Sequence, residues 1–219
     1  MHIIVVGAGR IGRHIIDLAT KDGHDVYVIE KDEDLAEDIS KNYDCKVIVD
    51  NATSLDALKD AGADEAHALI TTTYDDAVNM LIMSIAKEMG IELLVSSVAE
   101  ENHIHLFDKM GVGTVESPDK LNAQHLYYTV KNPSVKDFLD LGGDVEIIKF
   151  EVSAESKSKG KTIEELEKSE ELLKNTRIVV IRRGEDFIIP HPDTKLQEGD
   201  RVAILAKQDI VDEISRLFE

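Results

Sequence analysis

The sequence predicts an α/β protein, a doubly wound parallel sheet followed by a smaller α+β module. Three observations carry this. Short runs rich in β-branched residues alternate strictly with helical patterns over residues 1–117. A glycine-rich turn joins the first run to the first helical pattern. The rhythm then breaks at Pro118, and past Gly142-Gly143 the apolar period changes from helical to alternating.

Element by element, HIIVV (2–6) reads as a strand, and residues 10–23 place Ile11, Ile15, Leu18 and Ala19 at helical spacing before Gly23. Further strands are expected at 25–30, 46–50, 66–72, 92–98 and 113–117. Helices are expected between them at 34–43, 54–62, 75–90 and 103–111, with Asp75 or Asp76 as the cap of the long one. Residues 119–132 read as one amphipathic helix that Pro133 stops, and 134–144 lead to a glycine pair. Beyond it, 145–153 alternates like a half-buried strand, and Thr162 with Glu165 forms a capping-box pattern for a helix at 162–169. Strands at 177–183, 186–190 and 201–207 follow, separated by Gly184-Glu185 and by 198–200, with a closing helix at 209–218. The domains are expected at 1–118 and 135–219, with 119–134 as a crossover or hinge helix.

Composition narrows the function. The chain of 219 residues is 42% hydrophobic and 32% charged, ordinary for a globular protein. No stretch approaches the ~18 consecutive apolar residues of a membrane span, and Met1-His2-Ile3 does not begin a signal peptide, so a cytoplasmic location is expected. A net charge of −19 repels nucleic acid and anionic lipid, so membrane contact is expected only through a protein partner. The single cysteine, Cys45, excludes an internal disulfide and a cysteine-rich zinc site, and reads as a half-buried structural thiol.

Gly7-Ala8-Gly9-Arg10-Ile11-Gly12 matches G-x-G-x-x-G between a strand and a helix, the context in which this pattern is informative. Gly7 permits the tight turn, Gly9 lets the backbone approach a pyrophosphate, and Gly12 allows close packing of the helix. The amides of Arg10 and Ile11 then face the anion at the positive end of the helix. Glu30 ends the second strand, where a carboxylate accepts from ribose hydroxyls and repels a 2′-phosphate, which favours NAD(H) or an adenine nucleotide over NADP. The adjacent Lys31 could soften that preference, although a solvated loop lysine accounts for it. Two further strand ends share the rim. Asp50-Asn51-Ala52-Thr53 is placed to meet the adenine side, and Thr71-Thr72-Thr73-Tyr74-Asp75 to meet phosphate or ribose. Helix capping is the alternative for both, and for Asp75 it ranks first.

Nothing marks catalysis. H-E-x-x-H, G-x-S-x-G and C-x-x-C are absent, and Gly160-Lys161-Thr162 fails as a P-loop because Glu155 stands where its first glycine is needed. His103 and His105, at a helix start, are expected to be solvent-exposed, and His191 lies in a turn between Pro190 and Pro192. The helix at 75–90 is apolar almost all round and is expected to be covered on both sides, with Met80 and Met83 adapting to a second subunit. The helix at 119–132 offers Leu121, Ala123, Leu126, Tyr127 and Val130 for pairing.

Three segments carry a family resemblance: HIIVVGAGRIGRHI, ALITTTYDDAVNMLIMSIAKEMGI and RIVVIRRGEDFIIPHPDTKLQEGDRVAIL. Together they resemble the TrkA-like or RCK regulatory subunits of Trk/Ktr-type potassium uptake systems. The last segment is the most specific, with a basic–glycine turn, Pro-x-Pro-x-Thr and a Gly-Asp turn in that order. The resemblance implies a Rossmann-like nucleotide-binding domain and a C-terminal domain. It also implies a homodimer that builds a ring beneath a TrkH/KtrB-like potassium-translocating subunit and gates it through exchange of NAD(H), ATP or ADP. By matching positions, Gly7 to Gly12, Glu30, Asn51, Thr73 and Tyr74 would form the pocket. Two positions depart from the family. Asp50-Asn51 stands where Gly-Asp is frequent, and no arginine follows the fifth strand near Ser97 to neutralise phosphate, which weighs against ATP. An NAD-dependent oxidoreductase and a regulator of another ion transporter are the alternative readings.

Overall fold

The computed structural model describes residues 1–115, 118–131, 135–141, 143–168 and 176–218. It divides into two units, 1–121 and 122–219.

The first unit contains β1 (His2–Val6), α1 (Arg10–Lys21), β2 (Asp25–Glu30), α2 (Glu33–Asn42), β3 (Lys46–Val49), α3 (Leu55–Asp60), β4 (Ala68–Thr71), α4 (Asp76–Glu88), β5 (Leu93–Ser97), α5 (Ile104–Met110) and β6 (Gly113–Val115). All six strands are parallel, in the order β3-β2-β1-β4-β5-β6. Such a sheet is covered on both faces, so its inner strands are continuous apolar runs. Ile3 to Val6 are all buried, and the core splits into one cluster around Ile4, Leu69, Ile82 and Phe107 and another around Val5, Ile16, Val28 and Ile39. The strand order reverses between β1 and β4, which opens a crevice at their carboxyl ends. Cys45 is half-buried, and burial, helped by the charge of Asp44, pushes its thiol pKa up, away from the reactive thiolate.

Asp75 is the N-cap of α4, accepting from the amides of Ala77 and Val78, and within the chain the helix buries one face. That face is not wholly apolar, because it holds Asp76 and Asn79 beside Ile82, Met83 and Ala86. Leu81 on the opposite side is exposed within the chain.

Helix α6 (Pro118–Lys131) crosses the division between the units. It leaves Leu126, Tyr127 and Val130 exposed. The second unit adds β7 (Val135–Asp140), β8 (Val145–Glu151), α7 (Ile163–Lys168), β9 (Arg177–Arg183), β10 (Asp186–Ile188), β11 (Arg201–Lys207) and α8 (Val211–Ser215). Its antiparallel sheet runs β10-β9-β11-β8-β7. Strand β7 lies where the sequence suggested no element. Its register against β8 shifts between Val135 and Asp137, so the alternation that marks a strand is broken by a bulge. The capping box of α7 is formed, with the Thr162 amide donating to Glu165 at 2.7 Å and the Glu165 amide to the Thr162 hydroxyl at 3.1 Å. The closing helix is shorter than expected, five residues after a 3-10 turn at 208–210. On the covered face, Phe150 stacks on Phe218 at 4.9 Å among Ile148, Ile181, Val202 and Ile204.

Candidate functional site

Gly7 begins the turn after β1 with φ +92°, a left-handed conformation that only glycine adopts without strain. Its amide donates to the Ile29 carbonyl at 3.0 Å. At Gly12 the constraint is steric, because a Cβ there would lie 2.0 Å from the Gly7 carbonyl oxygen. Gly9 differs from both. Its φ is −66°, and a Cβ would meet nothing within 4 Å. Neither backbone nor packing requires glycine at this position, and the space it keeps lies directly before α1. That helix has no side-chain cap and no acidic residue in its first turn, so its leading amides are available to an anion.

Glu30 is 8% exposed, and both its oxygens are engaged by backbone. Oε2 accepts from the Ala8 amide at 2.6 Å and Oε1 from the Asp32 amide at 3.0 Å. The carboxylate therefore braces the glycine turn, and its remaining lone pairs still suit a hydroxyl donor. Thr72, also buried, donates from Oγ1 to the carbonyls of Val6 and Gly7, both at 3.1 Å, and so ties β4 to the same turn. Asp50 and Asn51 stand exposed beyond β3, where the Asp50 amide donates to the Glu30 carbonyl at 3.1 Å and Asn51 Oδ1 accepts from the amide and hydroxyl of Thr53. Arg10 and Lys31 are exposed, and Tyr74 is 73% exposed.

On the β4–β5 side, Ile11, Thr72, Thr73, Tyr74, Ser97, Val98, Ala99 and Asp119 line one cleft. The sequence reading had singled out the first five of these. It missed Val98, Ala99 and Asp119, and it missed the two residues behind them. Asn79, fully buried, donates from Nδ2 to the carbonyls of Thr73 at 2.9 Å and Ser97 at 3.3 Å, and its Oδ1 accepts from the Thr73 hydroxyl at 2.6 Å. Asp76 accepts from the amides of Ala99 at 2.9 Å and Glu100 at 3.0 Å. His103, expected to be merely solvated, donates from Nδ1 to Asp76 at 2.8 Å and is only half-exposed. Burial pushes the Asp76 carboxyl up. The Ala99 amide, His103 and the Glu100 amide together outweigh it and hold the carboxyl below the usual carboxylate range. Two polar residues three apart in the first turns of a mainly apolar helix were the available signal.

A larger concavity of about 520 Å³ lies on the outer face of the second sheet, lined among others by Lys136, Lys149, Glu151, Arg182, Phe187 and Arg201. It is remote in sequence from the glycine loop and lacks the convergent backbone amides of the first site. No group of three metal-ligating side chains occurs among the described residues. None of their helices is long and apolar enough to cross a membrane.

Fold and site together define a Rossmann-like unit with its glycine loop at the switch point of the sheet, joined to a small antiparallel unit. Residues 3–118 match the TrkA-N domain and residues 147–219 the TrkA-C domain. The chain is 33% identical over 219 residues to a Trk system potassium uptake protein TrkA homolog of Methanothermobacter thermautotrophicus, covering 100% of this chain and 99% of that protein. It is 28% identical over 227 residues to a TrkA homolog of Pyrococcus abyssi, covering 100% and 98%. Among solved structures, the GsuK channel bound to NAD superposes with a TM-score of 0.65 at 18% identity over 100% of this chain, which spans only 39% of the channel chain. The chain belongs to the TrkA family of Trk system potassium uptake proteins.

Proposed function

We propose that this chain is a nucleotide-sensing regulatory subunit of a potassium uptake system, without enzymatic activity of its own. Its first unit takes NAD(H), with ATP and ADP as competing ligands, at Gly7 to Gly12 and the rim formed by Glu30, Lys31, Asp50, Asn51, Thr72, Thr73, Tyr74 and Ser97. The observation that carries the reading is the open space at Gly9 before the uncapped start of α1. A pyrophosphate there would accept from the amides of Arg10 and Ile11, and Glu30 would meet a ribose hydroxyl. The NAD-bound channel of the same fold supports this choice of ligand.

Sensing rather than turnover is favoured by the cleft itself. Of groups able to move a proton its lining holds only Tyr74, 73% exposed, and Asp119, with no histidine, lysine or cysteine beside them, while Asp76 and His103 are engaged with each other behind it. A ligand shifts a regulatory equilibrium only by binding two conformations with different affinity. In this reading the two conformations are those of a homo-oligomer, a dimer extended to a ring. It would pair through the exposed side of α4 and through α6, beneath a membrane-embedded potassium-translocating partner.

Calorimetric titration with NAD, NADH, ATP and ADP, with the mass of the assembly measured for each, tests the proposal. NAD(H) is expected to bind and to change the assembly without being consumed. The variant Gly9→Val should fold, since a Cβ at this position meets no neighbour, yet lose binding by about 100-fold or more through the blocked approach. Unimpaired binding by that variant, or no nucleotide binding by the native chain, overturns the proposal.

A further inference from the structure

The face that α4 turns inward offers a choice that the protein did not take uniformly. Ile82, Met83 and Ala86 fill it with apolar atoms, whereas Asp76 and Asn79 at its start are polar and buried. Burying a carboxylate and an amide is costly unless each finds its partners, and apolar residues of similar size often serve stability as well. What these two side chains add is position. Asn79 holds the Thr73 and Ser97 carbonyls, one from the loop after β4 and one from the end of β5. Asp76 holds the amides of Ala99 and Glu100 in the loop after β5, and His103 closes over it. Every backbone group they grip belongs to, or directly adjoins, the cleft lining of Thr72–Tyr74 and Ser97–Ala99. In a sheet of this order the first nucleotide lies over β1–β2 and the second over the β4–β5 side.

Resting on the dinucleotide reading above, we propose that Asp76 and Asn79 are positioning residues that clamp the two loops into one wall for the second half of the ligand, so that the cleft prefers a dinucleotide to a mononucleotide. AMP would be held by the glycine loop and Glu30 and would not touch this wall. NAD would.

The test titrates NAD and AMP into the native chain, Asn79→Asp and Asp76→Asn, and follows amide hydrogen exchange at residues 97–103. Asn79→Asp turns a donor towards two carbonyls into an acceptor, and Asp76→Asn removes one of two strong acceptors without changing shape. Each is expected to weaken NAD at least about tenfold and AMP less than about twofold, the loss that displacement of a positioning wall produces. Exchange at Ala99 and Glu100 should quicken in Asp76→Asn. Should either variant fail to fold, the half-exposed His103→Ala removes one partner of Asp76 and should give a smaller effect of the same sign. Equal weakening of NAD and AMP, or unchanged NAD binding with unchanged exchange, overturns the proposal. If the native chain binds neither ligand, the dinucleotide reading fails, and the exchange measurement still decides whether the two residues clamp the loops.

Discussion

The two units place their polar groups by opposite rules. In the parallel sheet of the first unit both faces are covered, and the candidate site residues Gly7–Gly12, Glu30, Thr72 and Ser97 collect at the carboxyl ends of the strands. In the antiparallel sheet of the second unit one face is core and the other carries charge. Arg182, Arg201 and Glu151 lie side by side across β9, β11 and β8, and Val180, Ala203, Lys149 and Asp137 form the next row. The bulge in β7 adds Lys136 to the charged concavity. A parallel sheet therefore presents an edge and an antiparallel one a face, and a ligand reading for this chain starts at the edge because backbone amides converge there.

The largest effect should come from the core of the second unit. Phe150→Ala removes a fully buried ring stacked on Phe218 and should cost about 3–5 kcal/mol in chemical denaturation. If the units differ as described, nucleotide binding by the first unit should survive it. Gly12→Ala should come next. The added carbon must displace main chain at Gly7, so a loss of about 3 kcal/mol is expected together with loss of nucleotide binding, read by denaturation and titration.

Acid should separate the units in sign at two groups. Asp76 has its folded pKa held below its unfolded value, so its contribution is present above the unfolded pKa of about 4 and lost as pH falls through the folded one. Glu146, on the core side of β8 with Oε2 unpaired, is pushed up by burial and then by the charge of Asp140. Its contribution has the opposite sign, favourable below the unfolded pKa and lost as pH rises through the folded one. Glu146→Gln should therefore raise stability at pH 7, with the gain shrinking towards pH 4. Asp76→Asn should lower it at pH 7 and matter less in acid. The smallest effect concerns the arginines opposed on β9 and β11, whose ion pairs with Glu185 and Glu151 are long, at 3.7 and 3.9 Å. Like charges directly opposite are unfavourable, and the long pair with Glu151 offsets only part of this, so Arg201→Thr should stabilise by at most about 1 kcal/mol, read by thermal denaturation in low salt. A loss instead would show the arginine pair to be better satisfied than its partners imply.

Much of this was legible in the residues themselves. Period and punctuation marked the six parallel strands, and the spacing of Gly7, Gly9 and Gly12 after β1 marked the switch-point turn, because turn geometry depends on neighbouring residues alone. The capping box at Thr162 and Glu165 and the cap at Asp75 were readable for the same reason. Strand β7 was not, because a bulge and three charged residues erase its alternation.

What the sequence by itself determined is the fold class, the order of its elements, the family and the glycine turn, all set by local chemistry and spacing. Tertiary structure alone decided that Glu30 braces the Ala8 amide, that Asp76 and Asn79 hold two loops together, and that two arginines face each other across β9 and β11. Apart from Asn79 with Thr73, six positions away, those contacts join residues 18 or more positions apart. Whether such residues meet depends on strand order and register, which long-range packing sets and no local pattern records.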